Sequence, residues 1–177
     1  STFSISTSNN VIRDIFVHST GLPIPTGVAG SITLRRFYGY FGRNMGKLVD
    51  LPNNVDYKFD NCSALRTINL NRSNVSETRL PVFTNPSLSY LDLRYSRVRG
   101  GAANGDDTYV IPRTTFQQTL NLRYILLDSG NLLTSPIHPD ALVDVQELYY
   151  FWYRSYNRTS GNLPSFAGNP KLQYIWM

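Results

Sequence analysis

The chain has 177 residues and a formal net charge of +5, which comes almost wholly from 14 arginines set against 3 lysines. Charged residues make up 16% of the chain, against about 25% in ordinary soluble domains. A single cysteine excludes an internal disulfide framework, no apolar stretch approaches the roughly 20 residues of a membrane helix, and the lack of a long basic run argues against nucleic acid as a partner.

The first 58 residues predict either distorted repeats or a small β-rich cap. Phe3 to Ser6 alternates apolar and polar residues, as a half-buried strand does. The spacing L-x-x-L-x-L, in which L is any large apolar residue, begins at Ile12 and again, less regularly, at Leu34. The second copy is stretched by the glycine-punctuated segment 39–46. These features favour a distorted start of one continuous array over a separate cap.

From residue 59 onward the same spacing becomes regular. Its starts lie 23, 34, 26 and 24 residues apart, and a period in this range is typical of a solenoid. We therefore divide the chain into an N-terminal part, 1–58, and a solenoid, 59–177. The starts are Leu65, Leu88, Leu122, Leu148 and a truncated copy at Leu172.

Each of these copies carries a second landmark before its start. A phenylalanine or leucine stands five or six residues upstream, and in three repeats a Leu-Pro or Ile-Pro pair precedes it. The landmarks are Phe59, Phe83, Phe116, Leu142 and Phe166, and the pairs are Leu80-Pro81, Ile111-Pro112 and Leu163-Pro164.

This pattern resembles the leucine-rich repeat family, and Phe59, Cys62 and Leu65 resemble the F-x-x-C-x-x-L junction of its BspA-like subclass. The resemblance covers residues 59–177. It implies a β-rich solenoid of the α/β type, with a parallel β-sheet on one face, irregular or short 3-10 segments on the other, and little α-helix.

One departure from the family concerns its usual asparagine after each strand, whose side chain bonds the backbone of neighbouring turns. An offset ladder is open here, because asparagines follow the expected places by one residue. The expected places hold Ser73, Ser96, Gly130 and Tyr156, and the asparagines are Asn74, Asn131 and Asn157.

The residues between the leucines predict a binding surface. In a stacked array they point outward, and equivalent positions align into columns. Nine of the 14 tyrosines and tryptophans fall in these columns, and Tyr, Trp and Arg dominate binding hot spots. The predicted ligand-binding strand face consists of Arg66, Tyr90, Arg94, Arg123, Tyr124, Tyr149, Tyr150, Trp152, Arg154, Tyr174 and Trp176.

These features predict a non-catalytic recognition or assembly module that binds a protein or a glycan. No catalytic or phosphate-binding motif is present, and His18 and His138 lie far apart, so we expect no catalytic residue, metal or cofactor. The scarcity of Lys and Glu resembles extracellular adhesins and virion appendage proteins. An extracellular, cell-surface or virion location follows from that analogy.

Three alternatives remain open. The aromatic side chains could serve only to stabilise the sheet through cross-strand contacts. The chain could be a purely structural subunit of a larger assembly. It could also bind single-stranded nucleic acid by base stacking, with an affinity that falls steeply with salt.

The C-terminus raises a further expectation. Residues 172–177 form a strand pattern without a polar cap, whereas solenoids need capping repeats at their ends. We therefore expect more chain, or another subunit, to cover this strand.

Overall fold

The computed structural model describes residues 2–8, 11–25, 27–49, 57–75, 79–102, 108–128, 136–154 and 163–177. Over these residues the chain is a strand-rich β-solenoid of about five turns. Their strands are β1 (Thr2–Ser8), β2 (Val11–His18), β3 (Arg36–Tyr40), β4 (Thr67–Asn69), β5 (Arg79–Leu80), β6 (Tyr90–Asp92), β7 (Arg99–Ala102), β8 (Tyr124–Leu127), β9 (Tyr150–Tyr153) and β10 (Tyr174–Trp176).

The predicted parallel-sheet solenoid is confirmed, while the predicted helical content is not. None of the described residues is in an α-helix or a 3-10 helix. Turns, irregular segments and a short second sheet occupy the places where the family resemblance implied irregular or short 3-10 segments. The prediction of an α/β class is therefore not confirmed, because the described part of the chain contains no helix.

The main sheet contains eight strands in the order β1-β2-β3-β4-β6-β8-β9-β10. β1 runs antiparallel to β2, with a register shift between Ser6 and Thr7. Every later pair of neighbours is parallel. Strands β2 and β3 come from the first 58 residues, so the sheet runs without interruption across residue 58.

The register of the main sheet follows the repeat. Thr67 lies opposite Tyr90, Tyr90 opposite Tyr124, and Tyr124 opposite Tyr150. Neighbouring strands are about 4.8 Å apart. Side chains that are far apart in the sequence but equivalent in the repeat are therefore direct neighbours on the sheet.

The apolar positions form one continuous core along the array. Successive landmark residues touch, since the rings of Phe83 and Phe116 stack with centroids 5.6 Å apart. Each buried side chain of this size contributes about 1.5–3 kcal/mol. In the turn that starts at Leu65, the side chains exposed by no more than 1% are Leu65, Ile68, Leu70, Val75, Leu80 and Phe83.

A second, two-stranded parallel sheet is formed by β5 and β7. Leu80 lies opposite Ala102, and one turn further an isolated parallel bridge joins Ile111 to Ile137. Leu80 and Ile111 belong to the Leu/Ile-Pro pairs. Because proline has no N–H to donate, β5 ends directly before Pro81, which keeps this sheet short.

Four of the five described junctions between landmark and strand consist of two successive tight turns, and the shorter one after Phe83 has only the second, in which Leu88 N donates to Asn85 O. In the junction from Phe59 to Leu65, Cys62 N donates to Phe59 O over 3.2 Å and Leu65 N donates to Cys62 O over 3.1 Å. The same pair of bonds recurs in the junctions that begin at Phe116, Leu142 and Phe166. The three-residue spacing of F-x-x-C-x-x-L therefore corresponds to one hydrogen bond per step.

The middle residue of the junction links one turn to the next. Asn85 Nδ2 donates to Phe59 O over 2.8 Å and to Cys62 O over 3.3 Å, and Cys62 Sγ donates to Val28 O over 3.0 Å. Asn169 Nδ2 donates to two carbonyls of the preceding junction, both over 2.8 Å. Buried carbonyls need such donors, and at these two junctions an asparagine that precedes the strand supplies them.

At the places after the strand where the family has asparagine, serine hydroxyls make the side-chain hydrogen bonds. Ser73 Oγ donates to Gly39 O over 2.7 Å and accepts from Gly42 N over 3.0 Å. Ser96 Oγ donates to Leu93 O over 2.5 Å. The remaining candidate positions, Gly130, Asn131, Tyr156 and Asn157, lie outside the described residues.

The stretched segment 39–46 is part of the stack. Met45 is fully buried, its N–H donates to Asn74 O, and its carbonyl accepts from Ile24 N, both over 2.8 Å. A Cβ at Gly39 would stand 2.8 Å from the Met45 side chain. Glycine there leaves room for the ends of the Met45 and Leu70 side chains in the core between two turns.

Candidate functional site

The tyrosines of the predicted strand face form a contiguous column. Ring centroids are 5.7 Å apart for Tyr90 and Tyr124, 6.4 Å for Tyr124 and Tyr150, and 5.8 Å for Tyr150 and Tyr174. Tyr149 fills the space beside them, 5.8 Å from Tyr124. These separations are those of favourable aromatic pairs, about 4.5–7 Å, so the column is an ordered surface.

A tryptophan pair extends the column toward the carboxyl ends of the strands. The rings of Trp152 and Trp176 are 4.4 Å apart, and Trp152 is 6.3 Å from Tyr150. The guanidinium of Arg154 lies 5.5 Å from the centre of the Trp176 ring. Cation–π contacts of this kind restrain the half-buried Arg154 side chain.

Arg94 reaches the same pair from the other side. Its guanidinium lies 5.2 Å from the centre of the Trp152 ring, although Arg94 follows β6 and Trp152 lies on β9. It also forms a two-point ion pair with Asp92, with Nε and the second nitrogen 2.9 and 2.7 Å from the carboxylate oxygens. This ion pair raises the pKa of Arg94. Arg94 is thus held in place by groups of the chain itself.

Two outward positions are covered. Asp92 is fully buried, and Leu126 is only 6% exposed, although both occupy the column of Trp152 and Trp176. The Arg94 side chain crosses β8 to reach Trp152, which accounts for the cover over Leu126. The expectation that every residue between the leucines faces solvent is therefore wrong at these two positions and at Asp14, which is 7% exposed.

A groove follows the amino ends of the strands. Two cavities of about 430 and 330 Å³ share Arg66 and Ser89 and so adjoin each other. The residues preceding the strands stack directly, since Arg66 N donates to Arg35 O and Arg123 N donates to Ser89 O. We call this the arginine groove, and its arginines are Arg13, Arg35, Arg36, Arg66 and Arg123.

Two carboxylates in the arginine groove are already paired. Asp14 accepts from Arg36 Nε over 2.7 Å and from a second Arg36 nitrogen over 2.8 Å, and these bonds lower the pKa of Asp14. Glu147 pairs with Lys171 over 2.5 Å. The remaining arginines give the groove a net positive charge.

The hydroxyls of Tyr90 and Tyr149 remain protonated at neutral pH, because both pKa values are raised. Burial, followed by the nearby charge of Asp92, raises the pKa of Tyr90. A hydrogen bond with Tyr174 raises the pKa of Tyr149. These hydroxyls are therefore neutral hydrogen-bonding groups and do not act as bases.

The described residues contain no group of three or more His, Cys, Asp or Glu side chains placed to hold a metal ion. Nor do they include any helix of the length and hydropathy that a membrane span requires. The thiol of Cys62 is buried, which raises its pKa and disfavours its reactive form.

The predicted site residues fall into three groups. The tyrosines Tyr90, Tyr124, Tyr149, Tyr150 and Tyr174 make the column. Trp152, Trp176, Arg94 and Arg154 make the cluster next to it, and Arg66 and Arg123 line the arginine groove, separated from each other by Ser89.

The sequence prediction missed a second group of side chains at the carboxyl ends of the strands. Phe41, Arg72 and Tyr95 lie there together, each seven residues after its repeat start. Because all three occupy the same repeat position, an alignment of the repeats could have predicted that they lie together. The prediction considered only the positions inside L-x-x-L-x-L and the one directly after it.

No family model matches the sequence, and comparisons with curated proteins and with solved structures found no match.

Proposed function

We propose that this chain is a non-catalytic recognition module of the leucine-rich-repeat type, which binds a protein or a glycan through its strand face. The repeat spacing, the parallel register and the F-x-x-C-x-x-L junction support the family. The composition, poor in Lys and Glu, supports a place outside the cell or on a virion.

The observation that carries this proposal is the continuity of the aromatic surface. The column from Tyr90 to Tyr174 and the pair of Trp152 and Trp176 are in contact over four strands. Tyr174 and Trp176 are 52% and 45% exposed. Rigid aromatic rings flanked by arginines lose little conformational freedom on binding, which favours affinity.

The test is simultaneous replacement of Tyr124, Tyr150 and Trp152 by serine. We expect binding on a glycan array, or to a captured protein ligand, to weaken by more than about tenfold, because hot-spot truncations cost about 2 kcal/mol or more each. Both tryptophans of the chain lie on the face. Ligand binding should therefore change their fluorescence directly.

A matched control replaces three exposed residues of a junction, Gln117, Gln118 and Leu120, by serine. This variant should bind as the native chain does. Native binding that survives the strand-face substitutions for every ligand would contradict the proposal. Binding to a single-stranded oligonucleotide that is lost with rising salt would instead favour the nucleic-acid alternative.

A structural subunit is the second candidate, and the edge strand β10 favours it. Ile175 occupies an inward position of the repeat yet is 49% exposed, and Met177 is also 49% exposed. An uncovered strand edge of this kind pairs readily with another chain. Sedimentation of the native chain and of Ile175→Lys over a range of concentrations tests it: the native chain should self-associate and the variant should not.

A further inference from the structure

A groove at the carboxyl ends of the first strands lies apart from the strand face. Its volume is about 500 Å³, within the roughly 300–1,000 Å³ of small-molecule sites. We call it the rim groove, and its lining includes Ser19, Phe41, Arg43, Arg72, Asn74 and Tyr95.

One backbone feature repeats along this groove. Ser19, Phe41, Arg72 and Tyr95 occupy the same repeat position and have φ of 50°, 53°, 56° and 55°. Residues other than glycine rarely adopt this left-handed conformation. Because the same turn ends four successive strands of the main sheet, the four side chains are placed next to one another along the rim.

Arg72 is held between two of its neighbours. Its guanidinium carbon lies 5.4 Å from the centre of the Phe41 ring and 5.6 Å from the centre of the Tyr95 ring. Both contacts are within cation–π range. They restrain the side chain before any ligand arrives, while the in-plane N–H groups of the guanidinium stay available to an oxyanion.

The rim groove also carries charge that no described carboxylate balances. Arg36, Arg94 and Arg113 each form an ion pair with an aspartate. Arg43 and Arg72 have no carboxylate within 4 Å among the described residues. Arg97 also lines the groove. Three guanidinium groups at one groove, with that of Arg72 restrained, form a suitable receptor for an anionic group.

The rings add a second recognition element. Phe41 is 39% exposed and Tyr95 is 40% exposed, so each offers apolar surface beside the guanidinium groups. A carboxylate, sulfate or phosphate alone would use the arginines but not the rings. The apolar C–H face of a sugar ring packs against such aromatic surface, and its acidic substituent can reach Arg72.

We propose that the rim groove binds an acidic sugar, a pyranose that carries a carboxylate or a sulfate, with Arg43 and Arg72 on the anionic group and Phe41 and Tyr95 on the ring. This site is distinct from the strand face and does not depend on the function proposed for that face.

The experiment titrates the full chain with three oligosaccharide probes, namely an oligogalacturonate, its carboxyl-reduced neutral form, and a sulfated oligosaccharide of similar length. At least one acidic probe should bind and the neutral form should not. Arg72→Gln and Arg43→Gln should each weaken binding by roughly tenfold or more, since each removes a charged hydrogen bond. Arg72→Lys should weaken it less, because it keeps the charge and loses the planar fork.

Two matched variants separate this site from the rest of the surface. Arg35→Gln removes an exposed arginine from the arginine groove, and the serine replacements of Gln117, Gln118 and Leu120 alter an exposed junction. Both should bind the acidic probe within about twofold of the native chain, since distant sites are close to independent. Thermal midpoints of all variants confirm that the fold is retained.

The outcomes distinguish a carboxylate from a sulfate as the anionic group, and they include results that would overturn the proposal. Preference for the galacturonate or for the sulfated probe identifies the group that the site takes. The proposal is overturned if Arg35→Gln weakens binding as much as Arg72→Gln, if the neutral form binds as well as the acidic one, or if a single-stranded oligonucleotide binds with the same dependence on Arg72. It is also overturned if neither acidic probe binds at millimolar concentration.

Discussion

At the scale of single residues, the least replaceable polar side chain is Asn85. It is fully buried, donates to Phe59 O and Cys62 O, and accepts from the hydroxyl of Tyr57 over 2.8 Å. Three buried groups thus depend on one amide. Burial raises the pKa of Tyr57 well above its ordinary value, so that the hydroxyl remains a donor to Asn85.

Replacement of Asn85 by alanine should lower the free energy of unfolding by about 2–4 kcal/mol. It leaves the buried Tyr57 hydroxyl without its acceptor, at about 1–3 kcal/mol, and removes one of the two hydrogen bonds at each of two carbonyls, at about 0.5–1.5 kcal/mol each, with some relaxation. Urea unfolding followed by circular dichroism measures this. The control is Asn121→Ala. Asn121 is exposed and makes a bond of the same length to Pro86 O, and its loss should cost under about 1 kcal/mol. Equal losses in the two variants would contradict the structural role of Asn85.

At the scale of elements, the junction turns determine how closely consecutive turns approach. Gly168 lies in the last described junction, where a Cβ would meet the backbone of Val143 in the preceding turn, with its Cα and carbonyl carbon 3.0 Å away and its oxygen closer still. The backbone of Val143 cannot rotate away as a side chain could. The spacing between these two turns therefore requires glycine for steric reasons.

Gly168→Ala should destabilise the chain by about 1–3 kcal/mol, the usual cost of overpacking. It should also lengthen the bonds that Asn169 makes to the carbonyls of Leu142 and Val145. The comparison variant is Gly21→Ala, where nothing lies within 4 Å of the added Cβ, and its effect should stay within about 0.5 kcal/mol. Thermal unfolding of the two variants checks the prediction, which fails if their midpoints shift equally.

The elements also show what the sequence could and could not predict. The spacing of Leu65, Ile68 and Leu70 was sufficient to predict which residues of neighbouring strands lie opposite each other. Each turn must align its apolar residues with those of the next turn to share one core. The same pattern carries no information on Arg94, whose position depends on a long side chain crossing a strand. The second sheet at Leu80 and Ala102 was missed because two-residue pairings leave no periodicity to detect.

At the scale of the whole molecule, the array is nearly one-dimensional. Among the described strands of the main sheet, each contacts only its immediate neighbours. The core is continuous, but no contact links β2 directly to β9. In such arrays stability is close to a sum of turns and of interfaces between neighbouring turns. A local defect should therefore loosen the adjacent turns first and reach distant ones only by weakening the stack.

Two matched core truncations test this. Phe37 in β3 and Phe151 in β9 are both fully buried, and removal of either ring should cost about 3–5 kcal/mol. Phe151→Ala should raise the hydrogen-exchange rates of the amides in β8, β9 and β10 and leave those in β2 near the native rates. Phe37→Ala should raise the exchange rates in β2, β3 and β4 and leave those in β10 near the native rates. The neighbour-only contacts predict this asymmetry. If either variant speeds exchange equally from β2 to β10, the chain unfolds as one cooperative unit and the one-dimensional description is wrong.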